Sequence, residues 1–165
     1  MTIHDEHPFL PERGDRDPLR RFRGRMPSPV TVWTAGTGVA RVGLTVSSVL
    51  VADGDPARVL GLVDEDSTFA DDLPETFVVN LLAPAHAYLA DAFAGTAPSP
   101  GGPFRQGTWR ESEWGPTLDG AAGWLGARRH EEPRQVGWPL LVTAVVEQVE
   151  LGEGEALGHL RGRYV

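Results

Sequence analysis

Apolar residues in this chain recur at every second position, in short runs cut apart by glycine, proline and acidic turns. That period is the signature of half-buried β-strands, and it limits the fold more than any other feature. In residues 42–50, VGLTVSSVL, Val42, Leu44 and Val46 alternate with Gly43, Thr45 and Ser47. Ser48 then takes the next slot on the apolar face. A strand heading into a core thus ends with three hydroxyls in four residues.

The pattern predicts six or seven strands and two or three helices. SPVTVWTAG opens a strand in which Val30 and Val32 alternate with Thr31 and Trp33, and AGTG supplies a hairpin turn. VARVGLTVSSVL is its second arm. The turn chemistry of ADGDPA precedes a short strand, RVLGLV. DEDSTFADDLPE places Ser67 and Thr68 to cap a brief helix. In TFVVNLLA, Phe77, Val79 and Leu81 share one strand face while Asn80 interrupts the other. PAHAYLADAFAG reads as a helix, with Pro84 near its start, Ala85, Leu89 and Phe93 on one stripe, and Gly95 beyond its end. GTAPSPGGP is a loop. GAAGWLGARR, PLLVTAVVEQVEL and ALGHLRGRYV are strands. The expected fold class is mainly β (α+β): an antiparallel split β-barrel with flanking helices. Residues 1–27 are expected to form an arm with a short helix around DPLRRFRGR, docking through Leu19, Phe22 and Met26. Residues 28–165 form the barrel domain.

Several function classes drop out on composition. The chain has no cysteine, so disulfides, thiolate metal sites and a cysteine nucleophile are excluded. Its histidines show no tight ligand spacing, and no metal is expected. A formal net charge of −8 argues against nonspecific nucleic-acid binding. Arg20, Arg21, Arg23 and Arg25, with Arg13 and Arg16 upstream, read as a solvated helix face. No apolar run approaches the ~20 residues that span a bilayer. The polar N-terminus lacks a signal-peptide core, so the expected location is cytoplasmic. No Ser/His/Asp grouping has the motif context of a hydrolase.

Taken alone, Thr45, Ser47 and Ser48 suit an edge strand, with two solvent-facing hydroxyls and one satisfied by backbone, better than they suit a binding site. The order of the pieces favours the site. A Thr-Val-Thr-type strand, GLTVSS, DSTF, FVVNLLA, LADAFAG, GAAGWLGAR and a closing RGRY follow one another between Leu19 and Tyr164. This series resembles the flavin reductase-like family, whose fold is an FMN-binding split barrel. The resemblance implies that Thr45, Val46, Ser47 and Ser48 line a cleft for FMN or FAD. It also implies that Asp64, Ser67 and Thr68 belong to the segment wrapping the ribityl phosphate, with Asn80 close by. A phosphate at Ser67 and Thr68 would gain from free N–H groups and dipole at a helix start.

Family members often carry a histidine directly before the RGRY-like segment, where nicotinamide docks. That slot here holds Leu160, and His159 stands one place earlier, which in a strand is the opposite face. Asp64, Glu65 and Asp66 precede the phosphate hydroxyls, so these carboxylates must turn outward or find cationic partners. The function implied is NAD(P)H-dependent hydride transfer to bound flavin. A homodimer is implied too, with a monooxygenase as a possible acceptor of reduced flavin. The alternatives are a non-catalytic flavin carrier or sensor, and a β-barrel interaction module without a cofactor.

Overall fold

A computed structural model describes residues 17–165; the first part of the predicted arm lies outside them. The described chain begins with α1 (Pro18–Gly24), where the Asp17 carboxylate accepts from Leu19 N at 3.0 Å and Pro18 holds the first turn. There follow β1 (Ser28–Pro29), β2 (Thr31–Ala35), β3 (Val42–Val46), β4 (Val49–Ala52) and β5 (Arg58–Val63). The middle holds α2 (Thr68–Asp72), β6 (Thr76–Leu81), α3 (Ala87–Ala94) and a small hairpin, β7 (Trp109–Arg110) with β8 (Thr117–Leu118). β9 (Gly123–Arg128), β10 (Arg134–Gln135) and β11 (Leu140–Leu151) come next, then β12 (Gly158–Leu160) and β13 (Arg163–Tyr164).

The main sheet is antiparallel in the order β3-β2-β6-β9-β11-β5-β4, with β10 beside β11. Its two edge strands, β3 and β4, are consecutive in sequence. Residues 39–50 are therefore not one hairpin arm, as the alternation predicts. The strand ends at Val46, Ser47 and Ser48 turn the corner, and β4 starts on the far edge. Leu62 N donates to the Ser48 carbonyl at 3.0 Å, which ties this corner to β5 and curls the sheet toward closure. The hydroxyls that interrupt the pattern sit where the chain changes edges.

Trp33, Val46, Val59, Phe77, Ala127 and Val142 fill the barrel interior. Trp33 stacks on Phe77 at 4.7 Å between ring centres, with Phe69 edge-on to both. A Cβ at Gly61 would lie 2.4 Å from the Trp33 indole, so only glycine lets that ring lie flat on β5. Outside the barrel, Val30, Val32, Leu82, Leu89, Phe93 and Leu118 form a second cluster under α3 and the β7–β8 hairpin. β2 is consequently buried on both faces, which is why valine alternates there with tryptophan and threonine.

The predicted helix at 84–95 divides in two. Pro84–His86 make a 3-10 turn, α3 follows, and Gly95 ends it at φ 73°. Leu89 and Phe93 are buried as expected, whereas Ala85, in the 3-10 turn, is exposed. A short third sheet, β1-β12-β13, closes the chain on itself. The expected docking of the arm on its own body is not observed. Leu19 and Phe22 are each 64% exposed and Met26 is 55% exposed. The helix meets the body at its C-terminus, where Gly24 O accepts from Arg161 N at 2.7 Å, and its apolar stripe faces solvent.

Candidate functional site

The corner between β3 and β4 holds Thr45, Val46, Ser47 and Ser48 of the residues expected from the sequence. Val46 points into the barrel, 2% exposed, and its carbonyl accepts from the Thr31 hydroxyl. Thr45 faces the opposite side, half-buried, and donates to Ala90 O of α3 at 2.6 Å. Ser47 is exposed and Ser48 half-buried. Neither serine hydroxyl is spent on a hydrogen bond to a described residue. Ser48 is held against Leu62, so the corner lies beside the loop that leaves β5 at Asp64.

That loop is internally braced. The Asp64 carboxylate accepts from Asp66 N at 3.0 Å, and the Asp64 carbonyl accepts from the Ser67 hydroxyl at 2.7 Å. The Ser67 oxygen in turn accepts from Ala70 N at 3.1 Å, which makes it the N-cap of α2. Thr68 is exposed on the first turn. At the other end of α2, the Leu73 carbonyl accepts from Arg129 Nη2 at 3.2 Å. Gln135 Nε2 donates to Glu65 at 3.1 Å, linking the loop to β10. The side chains of Asp64, Glu65 and Asp66 are exposed, and none forms an ion pair with a described residue.

Asn80 stands on β6 in line with Thr45, with Val32 of β2 paired between them. It is fully buried, its Nδ2 donates to Val32 O and Thr34 Oγ1, both at 3.0 Å, and its Oδ1 accepts from Leu118 N at 2.9 Å. The amide clamps β2, β6 and β8 together, and both of its N–H donors are committed.

His159 sits half-buried on β12, paired with Ser28 on one side and Tyr164 on the other. Its ring meets the Tyr164 ring edge-on at 5.5 Å. The Tyr164 hydroxyl donates to the Asp91 carboxylate of α3. Burial, then the Asp91 carboxylate, push the Tyr164 phenol up to about 12. His159 is thus joined to the helix that also receives the Thr45 hydroxyl. This latch was invisible in the sequence, since Asp91 and Tyr164 stand far apart along the chain.

The β7–β8 hairpin was also missed. It carries Trp114, whose indole lies flat over Gly126, where a Cβ would come within 2.3 Å of the ring. The indole N–H donates to Glu147 at 2.8 Å and, ahead of the neighbouring Arg128, holds that carboxyl below its usual range. Beside this hairpin is a recess of about 390 Å³, bordered by Arg110, Asp119, Trp124 and Glu150. Arg110 pairs with Asp119 at 2.7 Å, Glu111 pairs with Arg41 at 2.6 Å, and Glu150 accepts from the Gln148 amide at 2.6 Å. No residue of the β3–β4 corner borders it. The uncommitted serine hydroxyls make the corner the better candidate. Among the described residues no helix is long and apolar enough to cross a membrane.

The solved structures similar to this chain share its curled antiparallel sheet. The Streptomyces globisporus C-1027 NADH:FAD oxidoreductase SgcE6, in complex with NAD and FAD fragments, is 27% identical, with a TM-score of 0.82 over 94% of each chain. The flavin reductase PheA2 is 21% identical, with a TM-score of 0.80 over 94% of this chain and 97% of the other. BorF, the flavin reductase component of a bacterial two-component tryptophan halogenase, is 22% identical. Its TM-score is 0.78, over 89% of this chain and 94% of its own. No curated protein matches the sequence. Residues 23–165 match the family described as "Flavin reductase like domain". With all but its first 22 residues matched, the chain belongs to the flavin reductase-like family.

Proposed function

We propose that this protein is a flavin reductase that moves a hydride from NAD(P)H to FMN or FAD held at the β3–β4 corner. The observation that carries the reading is the pair of uncommitted hydroxyls, Ser47 and Ser48, at the seam of a barrel of this family. The corner suits a flavin chemically: two hydroxyls and an adjoining backbone turn can meet the polar edge of the ring. The braced loop at residues 64–68 offers the start of α2 to a phosphate. When bound, the flavin supplies the hydride-accepting chemistry. The protein's own part is orientation. Thr45 fixes α3 against β3, Ser47 and Ser48 orient the bound ring, and Val46 anchors the corner in the barrel.

Titrating the protein with FMN and with FAD, read by flavin fluorescence, tests the site. Ser47→Ala/Ser48→Ala is expected to weaken the preferred flavin about tenfold, equal to about 1.4 kcal/mol. Unchanged affinity would place the ring elsewhere.

A homodimer follows from the same reading. Leu50, 71% exposed, pairs with Leu60, while Leu62 pairs with Leu141. Together they give the outer face of β4, β5 and β11 an apolar strip that a second copy would cover. A two-component oxygenase or halogenase as acceptor of reduced flavin, a cytoplasmic location, and an arm at 1–27 joined to a domain at 28–165 complete the proposal.

A flavin carrier or sensor without turnover is the second reading. Leu160 in the expected histidine slot favours it, with His159 turned against Tyr164. Reduction of bound flavin by NADH or NADPH separates the two.

A further inference from the structure

Two features have no partner among the described residues, and they are opposite in charge. The first is α1. It has seven residues, none buried, and a helix this short is not stable in water unless something covers its apolar side. Leu19, Phe22 and Met26 form one exposed stripe. Arg20, Arg21, Arg23 and Arg25 surround that stripe, and none makes an ion pair with a described residue. The second feature is residues 64–72, where Asp64, Glu65, Asp66, Asp71 and Asp72 are all exposed and likewise without ion pairs to described residues. The α2 helix within that segment is held in place by Arg129 and by the Ser67 cap. It is a fixed acidic surface.

We propose that α1 of one copy docks on residues 64–72 of a second copy, its arginines meeting the carboxylates and its apolar stripe covered by the contact. Charge complementarity selects this occupant. A chain of net charge −8 exposes a concentrated positive helix, and the acidic segment at 64–72 likewise has no ion pair to a described residue. A two-fold axis gives each dimer two such contacts. The consequence for function rests on the flavin reading above. Carboxylates at 64–66 repel a phosphate at the start of α2, and guanidinium groups from the second copy remove that repulsion. The site is then complete only in the dimer.

The test uses the full chain without flavin, by sedimentation over a dilution series. Wild type is expected to dimerise, more weakly as salt rises. Arg21→Glu/Arg25→Glu and Glu65→Lys/Asp66→Lys exchange exposed charges, and each variant alone is expected to self-associate at least about tenfold more weakly. An equimolar mixture is expected to regain wild-type affinity, because both contacts in the mixed dimer pair opposite charges. Unchanged self-association, a monomeric wild type, or weakened variants that fail to rescue each other would each overturn the proposal.

Since the chain has no cysteine, a second arm needs only single surface changes. Arg21→Cys mixed with Asp66→Cys is expected to form a disulfide-linked heterodimer under mild oxidation, in excess of either homodimer. No excess of the heterodimer would overturn the docking as well. Flavin titrations run separately keep the two claims apart: flavin binding without charge-swap rescue sinks only the docking, and rescue without flavin binding sinks only the function.

Discussion

Two polar residues singled out from the sequence turn out to do different work at the residue scale. Ser67 accepts from Ala70 N and donates to the Asp64 carbonyl, so one hydroxyl both starts α2 and folds the preceding loop. Ser67→Ala is expected to cost about 1 kcal/mol in urea unfolding, the usual worth of an N-cap. It should also weaken FMN more than riboflavin, because only FMN carries the phosphate. Equal changes for the two ligands would mean that this loop does not hold the phosphate. Asn80 was legible as an anomaly, a polar residue in an apolar strand, but not as a clamp. Its partners Val32, Thr34 and Leu118 come from elsewhere in the chain. Asn80→Ala leaves the Val32 carbonyl and the Leu118 N–H buried without that partner, and about 2–4 kcal/mol of stability should be lost. A loss below about 1 kcal/mol would show that the clamp is dispensable.

Elements were readable where the cause is local. β2, β5, β6, β9 and β11 follow from alternation and turn residues, and α3 from Leu89, Phe93 and its terminal glycine, while Pro84 starts the 3-10 turn before it. What failed was continuity. The alternation through residues 42–50 cannot reveal that the chain changes sheet edge at Ser47 and Ser48, because β3 and β4 have the same period on either side of the corner. The two-residue strands β7 and β8 carry too short a pattern to be seen, and the Trp114 indole over Gly126 depends on long-range packing.

The latch between α3 and β13 belongs to this scale as well, and it carries a pH signature. The Tyr164 phenol titrates at about 12 in the fold, against about 10 in an unfolded chain. The neutral phenol is the form the fold favours. Its contribution is therefore fully present below pH 10 and lost as pH rises toward 12. Melting temperature should fall over that window more steeply for wild type than for Tyr164→Phe. Identical slopes would show that the Asp91 contact does not form.

Over the whole molecule, one sheet curls until its consecutive edge strands meet, and the corner between them is where the uncommitted hydroxyls lie. Architecture and site share that origin. The fold was foreseeable because a chain of many short alternating strands has few ways to close. The partner proposed for α1 was not, because a second copy leaves no pattern in a single chain. The central claim is that this barrel turns over flavin with a nicotinamide. Anaerobic addition of NADH, and separately of NADPH, to the protein with excess FMN or FAD measures it directly through the loss of visible flavin absorbance. Bleaching with at least one nicotinamide–flavin pair, many turnovers per protein and far faster than without protein, is the predicted result. No acceleration with any of the four pairs, by protein that binds flavin in the same buffer, would contradict the enzyme and leave a carrier.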